Sequence, residues 1–295
     1  MEGSFSCRAC GGSWPLERGI PRFLPALALQ EKKTAENFGY EWTTFTHWDP
    51  AYEKQFLDWV YPAGKGFFKG KTVLDAGCGK GRHSILSSAF SARTVIGVDL
   101  SQAVEVAYEK TKNLPNVHIV QGSIYSLPLK PKFDYIFSVG VIHHLPSPER
   151  GYRQLKELLK KRGALSMWIY GRENNGWIVW LINPLRKLVT SHMPHFMLRA
   201  LSFCLTLWLY PILKLVYRRL GHKPVSKYLF YNHYLTYISH LTFREVFSIV
   251  FDHLVAPTAF YISKAEIESW IEPKEFKEVV LAWHNRNSWK CFLQK

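Results

Sequence analysis

Lys71–His83 reads KTVLDAGCGKGRH, and Thr94–Ser101 reads TVIGVDLS. The first stretch is a short apolar run that ends in an acid, Asp75, followed by glycines at alternate positions, Gly77, Gly79 and Gly81. Glycines at that spacing let a chain turn sharply after a strand and bring its backbone close to a ligand. The second stretch is another short strand, and it too ends in an acid, Asp99, 20 residues after Gly79. A carboxylate at that place can accept both hydroxyl hydrogens of a ribose. A glycine-rich turn alone is weak evidence, because dinucleotide folds use a related one. The turn together with the second acid is more specific.

Working outward, the rhythm of strand and helix continues. Asn116–Val120, Phe133–Val139 and Ala164–Tyr170 read as further strands, and His83–Phe90, Ser101–Lys112 and Pro148–Lys161 as helices between them. Strands alternating with helices predict right-handed βαβ units and a buried parallel sheet. Ligands of such sheets bind outside the carboxyl ends of the strands, at the topological switch point.

Five blocks in order, VLDAGCGKGRH, VIGVDLS, NVHIVQGSIYSLP, FDYIFSVGVIHHLPSP and LKKRGALSMWIY, resemble the class I S-adenosylmethionine-dependent methyltransferases, in particular the bacterial type 11 group. The resemblance implies an α/β, Rossmann-like fold: a mostly parallel seven-stranded sheet, a C-terminal antiparallel hairpin and a helical insertion after the fifth strand. It implies S-adenosyl-L-methionine as cofactor. Asp75, Gly77 and Gly79 would then line its methionine part, with Gly81 allowing close approach. Asp99 would bind the ribose hydroxyls, Leu100 would flank the adenine, and Ser123 and Ile124 would follow at the adenine edge. Many relatives carry an acid at the Ser123 position. Ser138 would end the fourth strand beside the methionine. Cys78 reads as a small buried filler.

The chain divides into five parts: 1–30, 31–70, 71–170, 171–240 and 241–295. Residues 1–30 hold Cys7 and Cys10 in FSCRACGG, followed by a Gly-Ile-Pro turn. This resembles the second half of a zinc ribbon, as in the small activator subunit of tRNA and protein methyltransferases. A zinc ribbon needs four ligands, and the sequence has no second C-x-x-C. His47 or His83 could complete a zinc site, but no spacing requires it; otherwise the segment is a remnant packed on the core. Residues 31–70 read as a helical lid, with Tyr40 and Trp42 as candidate cover for the cofactor. Residues 71–170 are the cofactor-binding core, and 241–295 complete the sheet. There EVVLAWHNRNSWKCFLQK reads as two strands around an Asn-Arg-Asn turn.

The composition bears on partners. Of 295 residues 47% are hydrophobic, enough for a substantial core, and the net charge is +15, which predicts an anionic partner. The charge is concentrated: Arg150–Lys227 holds 15 Lys and Arg against two acids, and no Asp or Glu lies between residues 174 and 243. The same stretch is rich in Trp, Leu, Phe and Tyr. Its longest uncharged run, Ala200–Leu213, has 14 residues, short of the roughly 18–20 that span a bilayer. Basic residues flanking apolar helices describe contact with an anionic membrane surface through 174–230. A substrate lid or a homodimer core is the plainer reading, and RNA binding ranks below both. Five scattered cysteines and an N-terminus without an apolar h-region predict a cytoplasmic protein, peripheral at the inner face of a membrane.

The function this predicts is methyl transfer to a small or lipid-like acceptor near a membrane. The alternatives are a tRNA or protein methyltransferase and a non-catalytic cofactor-binding scaffold. An oxygen acceptor needs a base within hydrogen-bond reach; the candidates are His143, His144, His233 and Asp252. A metal-independent reaction is expected. Taken alone, either His143 or His144 reads better as a helix-edge or core histidine than as a base.

Overall fold

The computed structural model describes all residues except 1, 9–10, 25–28, 50, 131 and 258. From the N-terminus, β1 (Gly3–Ser6), β2 (Ser13–Glu17) and β3 (Ile20–Phe23) form an antiparallel meander. Helices α1 (Leu29–Thr44) and α2 (Ala51–Trp59) follow. The alternating core is β4 (Thr72–Ala76), α3 (Arg82–Ala89), β5 (Thr94–Asp99), α4 (Ala103–Thr111), β6 (Val117–Gly122), β7 (Phe133–Val139), α5 (Pro148–Glu157) and β8 (Leu159–Tyr170). Its strands lie parallel in the order β6-β5-β4-β7-β8. The hairpin β9 (Glu278–His284) and β10 (Ser288–Gln294) closes that side, with β10 antiparallel to β8. Strand order reverses between β4 and β7, which places the ligand crevice at their carboxyl ends.

The seven strands implied by the resemblance are therefore present, and the N-terminal meander enlarges the sheet to ten by pairing β3 parallel to β6. Arg22 fastens it. This buried guanidinium donates to Gln121 Oε1 on β6 at 2.8 Å and to Glu105 Oε1 on α4 at 2.5 Å. Strand pleating divides the core between the two faces. On β4, Leu74 packs into one layer with Ile136, Tyr152 and Leu165, while Val73 packs into the other with Phe56, Phe68 and Phe137. Both faces being covered explains why these strands read as continuous apolar runs.

The insertion begins with a π turn, Ile178–Ile182, that runs into α6 (Asn183–Leu188). Then come α7 (His195–Ile212), a second π turn (Leu213–Tyr217) and α8 (Arg218–Leu220), followed by α9 (Asn232–Ile238), α10 (Phe243–Val255) and α11 (Lys264–Trp270). Two boundaries differ from the sequence reading. α10 packs along α7, with Phe243 edge-on to Phe203 and Tyr210, so the insertion extends past residue 240. The sheet is rejoined at the Gly171–Ile262 bridge. Second, α7 and α8 are continuous over His195–Leu220, 26 residues with a mean hydropathy of 1.6 over the most apolar window. By length and composition this helix is long and apolar enough to cross a membrane. The sequence reading stopped at Lys214, whose ammonium is folded back onto the carbonyls of Ser239 and Leu241 at 2.6 and 2.8 Å.

Candidate active site

The crevice starts at the turn after β4. Gly77 has φ +88°, and a Cβ there would lie 2.3 Å from Val141 Cγ2 on the turn after β7. Gly79 has φ +50°, and its N–H donates to Asp99 Oδ2 at 2.9 Å. The other Asp99 oxygen accepts from Ser101 N and Ser101 Oγ at 2.8 and 2.7 Å. The carboxylate is thus fixed at the lip of the crevice, which Leu100, Ser123 and Ile124 continue. Ser123 also caps the following 3-10 turn, its Oγ accepting from Tyr125 N.

Three of the predicted cofactor residues support this groove from beneath rather than lining it. Asp75 is buried and accepts from Ser84 Oγ at 2.7 Å; burial pushes its carboxyl up to about 7. Ser138 is fully buried and donates to the Ala76 carbonyl at 2.9 Å. Gly81, at φ +80°, caps α3 and lets α4 approach, since a Cβ would meet Ala107 at 3.1 Å. Cys78 is buried filler, as expected, and burial raises its thiol well above the ordinary range.

Helix α1 lies over the groove. Trp42 Nε1 sits 3.3 Å from where a Gly79 Cβ would be, so its ring covers the turn. Tyr40 stacks on His195 of α7 at 4.2 Å and ties the lid to the insertion. Between them Glu41 is completely buried, and neither carboxylate oxygen has a hydrogen-bond partner. Burial and the neighbouring Asp252 push its carboxyl well above the usual range.

The far wall comes from β8, α9 and α10: Tyr170, Tyr234, Tyr237, Asp252 and His253. Tyr170 Oη donates to Asp252 Oδ2 at 3.2 Å, and Tyr234 Oη pairs with His253 Nε2 at 3.2 Å. Of the four predicted bases, His144 and Asp252 line the crevice. The other two do not. His143 is fully buried behind Tyr170, with ring centroids 3.9 Å apart, and Tyr170 N donates to its Nδ1. Burial, first, and the charges around it hold this imidazole neutral. His233 is exposed on the outer face of α9, because the same turn directs Tyr234 and Tyr237 inward.

Sequence reasoning missed Glu41, Lys80 and Arg82. Glu41 carried one usable signal, an acid between two aromatics in GYEWTTF. Lys80 is nearly fully buried and donates to the Phe45 and His47 carbonyls at 2.8 and 3.1 Å; burial lowers its ammonium to about 7. The histidines considered for zinc have other work: His47 pairs with Glu245, and His83 stacks on Phe56 at 4.5 Å. Cys10 lies outside the described residues, and among those described no group of three or more His, Cys, Asp or Glu could hold a metal.

The crevice fits S-adenosylmethionine on its own features. The Gly77–Gly79 turn leaves room that side chains would fill, a fixed carboxylate stands at the next strand end, and an indole covers the turn. Residues 67–175 match the sequence family described as a methyltransferase domain. The tRNA U34 carboxymethyltransferase of Pseudoalteromonas atlantica is 36% identical over 108 residues, covering 35% of this chain and 33% of that protein. Its counterpart from Pseudoalteromonas translucida is 34% identical over 140 residues, covering 45% and 40%. The chain thus spans a third to two-fifths of the length of these curated relatives. A solved S-adenosylmethionine-dependent methyltransferase from Aquifex aeolicus is 26% identical, with a TM-score of 0.36, covering 43% of this chain and 76% of that one. The chain is built around a class I S-adenosylmethionine-dependent methyltransferase domain, with S-adenosylmethionine as its cofactor.

Proposed function

We propose that the chain transfers a methyl group to a nucleophile held against the far wall of the crevice, with Asp252 as the proton acceptor. The carrying observation is that Asp252, held by Tyr170, lines the same crevice as the Gly77–Asp99 groove, with the buried Glu41 beside it. Bound S-adenosylmethionine supplies an electrophilic methyl group on a sulfonium. The residues of this chain do the rest. Gly79 and Asp99 fix the donor, Trp42 excludes water, and the tyrosine wall orients the acceptor. A carboxyl buried beside another carboxylate resists ionising. Glu41 is fully buried, and burial and the neighbouring Asp252 raise its carboxyl well above the usual range, so it keeps its proton. Asp252, held by Tyr170 at the crevice wall, receives the proton of an acceptor hydroxyl or amine.

Two acceptor classes have support. The names of the curated relatives favour a tRNA base, and the net charge of +15 suits a polyanion. On the comparisons this ranks ahead of the lipid-like acceptor expected from the sequence. The lipid-like acceptor is supported by the exposed apolar surface of the insertion, whose large aliphatic side chains have no use on RNA. More than half of the chain lies outside each alignment with those relatives. The test is incubation with methyl-labelled S-adenosylmethionine and, separately, bulk tRNA and a membrane lipid extract. Label in either fraction, lost in Asp252→Asn, supports the reading and names the class. Label in neither, from a protein that binds S-adenosylhomocysteine, would refute both classes.

A further inference from the structure

The insertion presents a surface that the crevice does not use. Along α7 one stripe, Leu198, Ser202 and Thr206, is buried and continues into Leu213 and Tyr217. This stripe seats the helix on the domain. The remainder faces outward, and only 22% of the most apolar window is buried. Large side chains stand in solvent over consecutive segments: Trp180 is 84% exposed, Leu188 79%, Phe196 72% and Trp208 73%. Soluble surfaces seldom expose this much apolar area without a partner.

The charge of the segment says what the partner is. Lys187, Arg199, Arg218, Arg219, Lys223 and Lys227 are all exposed, and none forms a salt bridge among the described residues. No acid occurs between residues 174 and 244. A second copy of the chain on this face would set six uncompensated cations against six more. RNA would satisfy the cations but leave the indoles and leucines in water. A bilayer carrying anionic headgroups satisfies both. We propose that the α6–α8 segment docks the protein on an anionic lipid surface, with α7 lying in the plane of the interface. α7 cannot cross the bilayer while seated, because crossing would strip the Leu198–Thr206 stripe from α10. In-plane burial of the outer face, with basic residues at headgroup level, is the usual balance for such helices. The inference rests on the surface alone and holds for either acceptor class.

The test is sedimentation of the full chain with vesicles of phosphatidylcholine alone, and of phosphatidylcholine mixed with phosphatidylglycerol. Binding should require phosphatidylglycerol and weaken at least about tenfold at about 0.5 M salt, which screens surface charge within a few ångströms. Trp208→Glu and the pair Arg218→Glu with Arg219→Glu should each weaken it about tenfold or more, with S-adenosylhomocysteine affinity unchanged. Four results would overturn the inference: no vesicle binding by the wild type, or wild-type binding by Trp208→Glu. So would a dimer that Trp208→Glu dissociates, or tRNA binding lost in the arginine pair while vesicles are ignored.

Discussion

The backbone N–H of Gly79 donates to the carboxylate of Asp99 at 2.9 Å, across the tips of neighbouring strands β4 and β5. The glycine turn and the Asp99 carboxylate are therefore one unit, not two independent features. Ser101 holds the second oxygen of that carboxylate, so Asp99 is oriented before any ligand arrives. Preorganisation of this kind lowers the cost of binding.

The lid gives the first prediction. Trp42 covers Gly79 from α1. Replacing the indole by alanine removes an aromatic contact of about 1–2 kcal/mol. Titration calorimetry with S-adenosylhomocysteine should show Trp42→Ala binding about tenfold more weakly. An unchanged affinity would remove α1 from the cofactor site.

Backbone strain gives the second. At Gly77 a side chain faces both φ +88° and Val141 at 2.3 Å. Gly77→Ala should cost about 2 kcal/mol or more of stability in denaturant unfolding. Gly64, with φ −79° and no heavy atom within 4 Å of its would-be Cβ, is the control. Gly64→Ala should stay within about 0.5 kcal/mol of wild type.

The carboxyl pair separates by its two conservative variants. If Glu41 keeps the proton, glutamine imitates its protonated form, and Glu41→Gln should retain most of the turnover. Asp252→Asn removes the proton acceptor and should lower kcat by about a hundredfold without changing S-adenosylhomocysteine affinity. Steady-state kinetics on the acceptor fraction that takes the label decides it. The reverse order of effects would exchange the two roles.

Asp75 predicts a pH dependence of stability. Burial raises its folded-state value from 3.8 to about 7. Between those values the folded chain binds the proton and the unfolded chain does not. Asp75 thus lowers stability as pH rises through this window, by roughly 4 kcal/mol in all. Asparagine has nothing to ionise. The difference in unfolding free energy between Asp75→Asn and wild type should grow in favour of the variant from pH 4 to pH 8. A constant difference would contradict the assignment.

Much of this was legible in the sequence, for identifiable reasons. β4, β5 and β7 are buried on both faces, so their apolar runs and the glycine turn announced themselves within a residue or two. The closing hairpin was marked by Asn285 and Arg286, both at positive φ. α5 ends at Glu157, short of the Lys161 that the sequence suggests, because LKKRGALSMWIY is one strand whose first residues, beyond a register shift, are half-polar. The meander β1–β3 was hidden because its attachment depends on Arg22, a long-range ion pair with no local pattern. The cofactor side was legible because backbone geometry demands glycines. The acceptor side was not, since Glu41, Tyr170, Tyr234 and Asp252 meet only through packing of four separate elements. The spacing of its aromatic neighbours points to His233, but one helical step separates it from the crevice.

Everything proposed for this crevice depends on the Gly79–Asp99 unit holding S-adenosylmethionine. Calorimetric titration of wild type and Asp99→Ala with S-adenosylhomocysteine tests it most directly. The account predicts saturable one-to-one binding by the wild type, weakened about tenfold or more in the variant, since a charged hydrogen-bonding partner of the ribose is worth about 1.5–3 kcal/mol. A folded wild type that does not bind, or an Asp99→Ala variant that binds equally well, would contradict it.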